Sequence, residues 1–361
     1  MKLLVLGADS NLGVALIGLL QSESVEYLAL ATSELNLLKR TEVVKACVSC
    51  KPSQIVNLAS YSDLEMAESD PEAAKECDIL NSSGVSTLAE VCKQLNLPLV
   101  HHSSAYVFDG KKIHPYVETD TTNPSSHYGQ SRWSGERAIR DVLPNHVIVR
   151  TDWLFGTPNH DFFRQYIATC KQNSGKLEVM NHRFCPTPTS DVARVLLAIS
   201  RQVDCAAEVW GTYHYCASQP LSLDIFVSNF LQIAAQFDTQ LATVLPALQI
   251  TKCPVRKPFI ASTVLSSQRV FETFGIKQRS RVAELTVLIE DIYGIEHAQP
   301  IPAKPNADTE VLSATTKGRS SATKRKVKSK VKGKLRSKIS KPADSGSHAK
   351  TTVRRKDTPL S

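Results

Sequence analysis

The pattern of apolar and polar positions predicts alternating strands and helices from the first residues onward. Lys2 to Gly7 (KLLVLG) is a short apolar run closed by a glycine, the pattern of a strand buried on both faces. Val14 to Leu20 then carries apolar residues at helical spacing, and Val25 to Leu30 reads as a second strand. Gln54 to Ser60, Leu97 to Val100 and Val147 to Val149 repeat the strand pattern, with helix-like stretches between them. Such alternation builds a parallel sheet covered on both faces. The expected fold is α/β, a Rossmann-type doubly wound parallel sheet. Short strands and helices from Gly211 to about Gly294 should add a small C-terminal α/β substrate lobe, taken mainly from 211–298.

Composition divides the chain of 361 residues, whose net charge is +8. From Lys317 onward the balance is +14, which leaves −6 for everything before it. Beyond Gly294 the residues are mostly Pro, Ala, Thr, Ser and Lys, too polar to form a core, so 299–361 is expected to be a disordered, Lys/Arg-rich tail. Val327, Val331, Leu335 and Ile339 recur every fourth residue in it, a pattern that fits a basic helix or an alternating strand equally well. No apolar run reaches the ~18 residues of a membrane helix, and Met1-Lys2 enters a strand directly, without a signal peptide. Nine scattered cysteines suit a reducing compartment, so a cytoplasmic location is expected. Cys47 and Cys50 form a lone CxxC without matching ligands and read as packed thiols; no metal site is expected.

The chemistry gathers around one stretch. The fourth apolar run, Leu97 to Val100, stops at the hydroxyl pair Ser103 and Ser104, and a loop then leads to a helix carrying Tyr128 and Arg132. Four residues apart, Tyr128 and Arg132 share one helix face. A cation so placed favours phenolate over phenol, while a serine at the strand end holds a carbonyl. His101 and His102 must point to opposite faces of their strand, which makes both structural. Near the start, GADSNLG after the first strand is the turn of a dinucleotide site, with the helix N-terminus facing a pyrophosphate.

These segments resemble the extended short-chain dehydrogenase/reductase family, and within it the dTDP-4-dehydrorhamnose reductase, or RmlD-like, branch. The resemblance covers roughly Met1 to Gly294 and rests on GADSNLG, Asn57-Leu58-Ala59-Ser60, SSAYVFDG, YGQSRWSGE and Arg150-Thr151-Asp152-Trp153-Leu154-Phe155-Gly156. It implies cofactor contacts from Gly7, Ser10, Asn11, Leu12, Gly13, Asn57, Ala59, Tyr128 and Arg132. It further implies catalysis by Ser104, Tyr128 and Arg132, substrate contacts from Ser104, Tyr128 and Trp153, and a structural role for Asn81. Two departures stand out: Ser10 replaces the middle glycine of GxxGxxG, where its hydroxyl would be available to a phosphate, and Arg132 replaces lysine.

The activity implied is reduction of a nucleotide-activated keto sugar, of the dTDP-4-dehydrorhamnose kind, by NADPH or NADH, with a homodimer among the expected partners. Ala31, Thr32 and Ser33 follow the second strand, so neither an acid nor an arginine chooses between the two cofactors. Two other readings share the scaffold: a non-catalytic nucleotide-binding regulator, like the regulatory subunit of methionine adenosyltransferase, and a carrier for a polyanion-binding tail. The tail has no aromatic residue after Lys317, so contact with nucleic acid or anionic surfaces would be backbone-directed and non-specific. Full-length protein should therefore bind duplex DNA or anionic vesicles with steep salt dependence, and a version truncated near Gly294 should not. Equal, negligible binding by both would remove this role.

Overall fold

The computed structural model describes residues 1–156 and 160–295. The expected disordered tail, 299–361, and its apolar repeat lie outside the described residues. Along the chain, β1 (Lys2–Leu6) turns into α1 (Asn11–Ser22), and β2 (Glu26–Leu30) into α2 (Arg40–Cys50). After β3 (Gln54–Asn57) come α3 (Leu64–Ser69) and a long helical stretch: α4 (Pro71–Asp78), a π turn (Ile79–Ser83) and α5 (Gly84–Leu95). Then follow β4 (Leu99–Ser104), α6 (His127–Val142) and β5 (His146–Thr151). The second half opens with β6 (Leu154–Phe155), α7 (Asp161–Gln172), β7 (Lys176–Met180), β8 (Arg183–Phe184) and β9 (Thr187–Pro188). It continues through α8 (Thr189–Asp204), β10 (Gly211–Tyr215), β11 (Leu221–Ser222), α9 (Leu223–Ala234) and α10 (Thr239–Val244). It closes with β12 (Gln249–Cys253), α11 (Gln268–Phe274) and α12 (Val282–Ile292).

Six strands form a parallel sheet in the order β2-β1-β3-β4-β5-β10. Alternate residues of β1 serve opposite cores. Leu3 and Val5 pack with Leu16, Val149 and Val195, whereas Leu4 and Leu6 pack with Ile55, Leu88 and Ile148. Burial on both faces is what the unbroken apolar runs predicted. The winding reverses between β1 and β3, and such a switch point leaves a crevice at the strands' carboxyl ends. Register brings those ends level: Leu6 lies beside Leu30 and Asn57, and Ser104 beside Thr151.

Two expectations are corrected. β4 does not stop before the hydroxyl pair but runs through Ser104, because His101, His102 and Ser103 find polar partners inside the fold. The lobe is also composed differently. Gly211–Tyr215 pairs with β5 and completes the main sheet, while α7, β7 and β8, from earlier in the chain, belong to the lobe core. That core is aromatic, built on Phe155, Phe163, Phe184, Phe226 and Phe230, and β7 pairs with β12 beside it. A parallel partner far away in sequence cannot be read from a five-residue strand.

The helix that carries the expected catalytic residues is held by charge as well as by apolar contact. The Ser126 hydroxyl caps α6 by accepting the Gly129 N–H at 3.0 Å. Its buried face is Tyr128, Ser131, Arg132, Gly135, Glu136 and Ile139, at helical spacing but mostly polar. Glu136 is completely buried. One carboxylate oxygen accepts from Ser103 of β4 (2.6 Å) and from Nε of Arg150 on β5 (2.8 Å). The other accepts from Arg150 Nη2 (2.6 Å) and Arg140 (2.8 Å). Arg150 also meets His214 of β10 at 3.3 Å and lies over the Phe108 ring. Burial alone would raise the Glu136 carboxyl, but Arg150 holds it down at about 2. Breaking a buried, fully bonded ion pair from one side costs about 3–5 kcal/mol. Glu136→Ala should lose that much in urea unfolding; a loss below about 1 kcal/mol would contradict the clamp.

Candidate active site

The glycine turn is shaped by close approach. Gly7 has φ +79°, and a Cβ there would lie 2.4 Å from the Ala59 backbone nitrogen, so only glycine lets the ends of β1 and β3 meet. A Cβ on Gly13 would fall 2.2 Å from the Gly7 carbonyl oxygen. Ser10 corrects the expectation made for it. Its hydroxyl donates to the Gly7 carbonyl (2.7 Å) and accepts the Gly13 N–H (3.0 Å), which makes it the N-cap of α1, not a free donor to a phosphate. The first-turn N–H groups of Asn11 and Leu12 have no intrahelical acceptor and remain suited to an anion. Beside the turn, a shallow cleft is lined by Gly7, Ala31, Thr32, Leu35, Ala59 and Leu80, among others. An apolar crevice beside a glycine turn and a helix N-terminus is the place where doubly wound folds hold adenosine and pyrophosphate.

Asn57 needs a correction too. It is completely buried, its Oδ1 accepts the Ala59 N–H (3.2 Å) and its Nδ2 meets His101 Nδ1 (3.1 Å). Its side chain shapes the edge through Ala59 and does not face the cleft. His101 and His102 are structural, as expected; His102 bonds Thr151 at 2.8 Å. Burial, reinforced by the Arg132 charge, keeps His101 well below the usual imidazole range and lowers His102 to about 3.

Arg132 reaches the His102 carbonyl near the end of β4, and Tyr128 meets Ser104 only through Tyr106. The two hydroxyls of that end part company there: Ser103 turns inward to Glu136, while half-buried Ser104 accepts the Tyr106 N–H at 3.3 Å. Tyr106 in turn meets the Tyr128 ring edge-on, centroids 5.9 Å apart. Tyr128 is 8% exposed and packs against Ala67 and Cys77. One turn along, Arg132 is 1% exposed. Its guanidinium donates to the His102 carbonyl and lies 3.5 Å from Asn81 Oδ1, while its Nε has no partner among the described residues. Asn81 sits in the π turn and is braced by a backbone pair with Tyr61, at 3.0 and 3.1 Å. This bears out its structural reading.

Trp153 stands apart from this group. It is half-buried at the entrance to the lobe, in contact with Phe155, Phe162, Phe163, Phe184 and Phe226. Its neighbour Asp152 was not singled out by the sequence. That carboxylate accepts the N–H groups of Cys185 and Trp153, tying the end of β5 to the crossing segment of the lobe. Burial lifts it to about 7 against those hydrogen bonds. Among the described residues no cluster of His, Cys, Asp or Glu is arranged to hold a metal, and Cys47 and Cys50 are buried, unpaired thiols.

A doubly wound sheet with a glycine turn at its switch point, and a serine, tyrosine and cation at the next strand end, defines an extended short-chain dehydrogenase/reductase. A family model described as the RmlD substrate binding domain matches residues 1–293, and the chain belongs to that family. The dTDP-4-dehydrorhamnose reductase of Sinorhizobium fredii is 31% identical over 281 residues, covering 77% of this chain and 93% of its own. The crystal structure of a dTDP-4-dehydrorhamnose reductase from Clostridium acetobutylicum superposes with TM-score 0.68 at 25% identity, over 81% of this chain and 99% of that one. The Bacillus anthracis reductase, solved with NADP, gives 0.66 at 20% identity, over 80% and 98%; at that identity the likeness is one of fold.

The Asp152 carboxyl supplies a test of this geometry. Its folded value, about 7, lies above the ordinary 3.8, so the stability it contributes is complete below about pH 4 and is lost as pH rises through 7. The stability of the wild type relative to Asp152→Asn should fall between about pH 4 and 7 and level off above, with a slope of at most about 1.4 kcal/mol per pH unit. A flat difference in urea titrations would show that Asp152 is not held in this way.

Proposed function

We propose that this chain is an NAD(P)H-dependent reductase of a nucleotide-activated keto sugar, of the dTDP-4-dehydrorhamnose type that its relatives' names describe. The observation that carries the reading is the grouping near the end of β4, where Arg132 bonds the His102 carbonyl and Tyr128 stands edge-on to Tyr106, whose N–H Ser104 accepts. A bound NAD(P)H would supply the hydride; Gly7, Ala31 and Ala59 would hold its adenosine, and the N–H groups of Asn11 and Leu12 its pyrophosphate. Ser10 and Gly13 act indirectly, by shaping the turn.

The protein's own part is orientation and proton delivery. The Ser104 hydroxyl donates to the keto oxygen and fixes its direction. Tyr128 gives its phenolic proton to that oxygen as negative charge develops there. Arg132 supplies a buried positive charge beneath the site. Its planar fork is directed at His102 and Asn81, where an ammonium would be a compact point charge. Trp153, at the lobe entrance, offers an aromatic wall to the sugar. A nucleotide-sugar substrate accords with this site, and no helix among the described residues is long and apolar enough to cross a membrane.

One observation favours a second reading, a nucleotide-binding regulator without turnover. Arg132 is already engaged inside the fold, and a cation so held is less able to reach a ribose. Kinetics separates the two. Tyr128→Phe should reduce turnover of a dTDP-activated 4-keto sugar by about 10²–10⁴-fold while dinucleotide binding persists. Unchanged turnover would remove Tyr128 from its role. Dinucleotide binding without any turnover by the wild type would leave the regulator.

A further inference from the structure

The end of β2 is the place where dinucleotide folds read the adenosine ribose, through an acid on its 2′-hydroxyl or an arginine for a 2′-phosphate. In sequence that place holds Ala31, Thr32 and Ser33, which read neither. The fold brings in an acid from elsewhere. Asp9, in the loop between β1 and α1, reaches across 23 positions, and its Oδ1 accepts both the N–H (2.8 Å) and the hydroxyl (3.0 Å) of Thr32. Thr32 lines the cleft together with Gly7 and Ala31. Partial burial pulls the Asp9 carboxyl upward, but the Thr32 hydrogen bonds outweigh it and hold the group below the usual carboxylate range. Asp9 therefore carries a full negative charge at neutral pH.

The surroundings reinforce that charge. Glu34 Oε2 accepts the Ala31 N–H at 2.7 Å, placing a second carboxylate on the same rim. The residues lining the cleft carry no cation. The next two basic side chains along the chain are already paired, Lys39 with Glu42 at 2.9 Å and Arg40 with Glu90 at 2.8 Å. A 2′-phosphate would bring nearly two further negative charges to this rim without a partner. A 2′-hydroxyl would instead find a charged acceptor, the stronger kind of hydrogen bond.

We propose that Asp9 is the specificity-determining residue of the cofactor cleft and makes it select NADH over NADPH. The proposal rests on the reductase reading above and sharpens it. Asp9→Asn is the informative variant, because an amide oxygen can still accept both Thr32 bonds while the charge is gone. Full-length wild type and variant would be titrated with NADH and NADPH, following tryptophan fluorescence. A parallel competition on the wild type would compare ADP with 2′-phospho-ADP, a readout that does not depend on the variant folding.

The wild type should bind NADH at least about tenfold more tightly than NADPH, equivalent to ~1.4 kcal/mol. ADP should compete better than its 2′-phosphate. Asp9→Asn should close most of the gap, chiefly by improving NADPH. Equal or tighter wild-type binding of NADPH would overturn the proposal while leaving the reductase reading intact. So would a ratio unchanged by Asp9→Asn. Failure of both dinucleotides to bind at millimolar concentration would overturn the proposal and the reading beneath it together.

Discussion

The buried pair between Glu136 and Arg150 is the constraint on which the site depends. Each carboxylate oxygen of Glu136 accepts two hydrogen bonds, and the donors come from β4, β5 and α6 itself. A bidentate pair has directional demands that apolar packing lacks. It therefore sets the rotation of α6 about its axis as well as its distance from the sheet. Tyr128 and Arg132 lie on the same helix face as Glu136, eight and four residues before it. A helix rotated away from Arg150 would carry both of them off the end of β4. Desolvating these charges is costly, and the near-complete bonding of the carboxylate is what makes the arrangement tenable.

A second close contact positions the nucleotide end. Gly7 and Ala59 bring the ends of β1 and β3 together across the switch point, and the cleft opens beside them. The two departures from the family pattern fall in these two regions and differ in kind. Ser10 is absorbed by the turn, since its hydroxyl bonds the Gly7 carbonyl and caps α1 without entering the cleft. Arg132 keeps the charge but changes its shape. Its longer fork passes to the His102 carbonyl and toward Asn81.

Much of this was legible in the chain. The apolar runs within β1, β3 and β5 read as strands because burial on both faces favours apolar residues there, and half-exposed β2, at the sheet edge, kept enough apolar residues to be read with them. The opposite orientations of adjacent strand residues marked both histidines as structural. Helical spacing placed Tyr128 and Arg132 together. Where polar side chains are satisfied internally, the pattern failed: β4 was cut short at its histidines and serines, and the buried face of α6 looks like a solvated one. The lobe was misdrawn for a different reason, since β10 earns its place in the sheet only by pairing with β5, more than sixty residues earlier.

The alternating fold, the glycine turn and the order of serine, tyrosine and cation could be read along the chain, because each is a local pattern of period, spacing or backbone freedom. Three-dimensional packing was needed to show that Asn57 serves the edge from behind, that Glu136 finds Arg150, and that Asp9 reaches Thr32 at the end of β2. Those are meetings of hydrogen-bonding groups from separate strands and loops. Nothing in the local pattern carries them, because which donor reaches which acceptor is settled by the packing of the sheet.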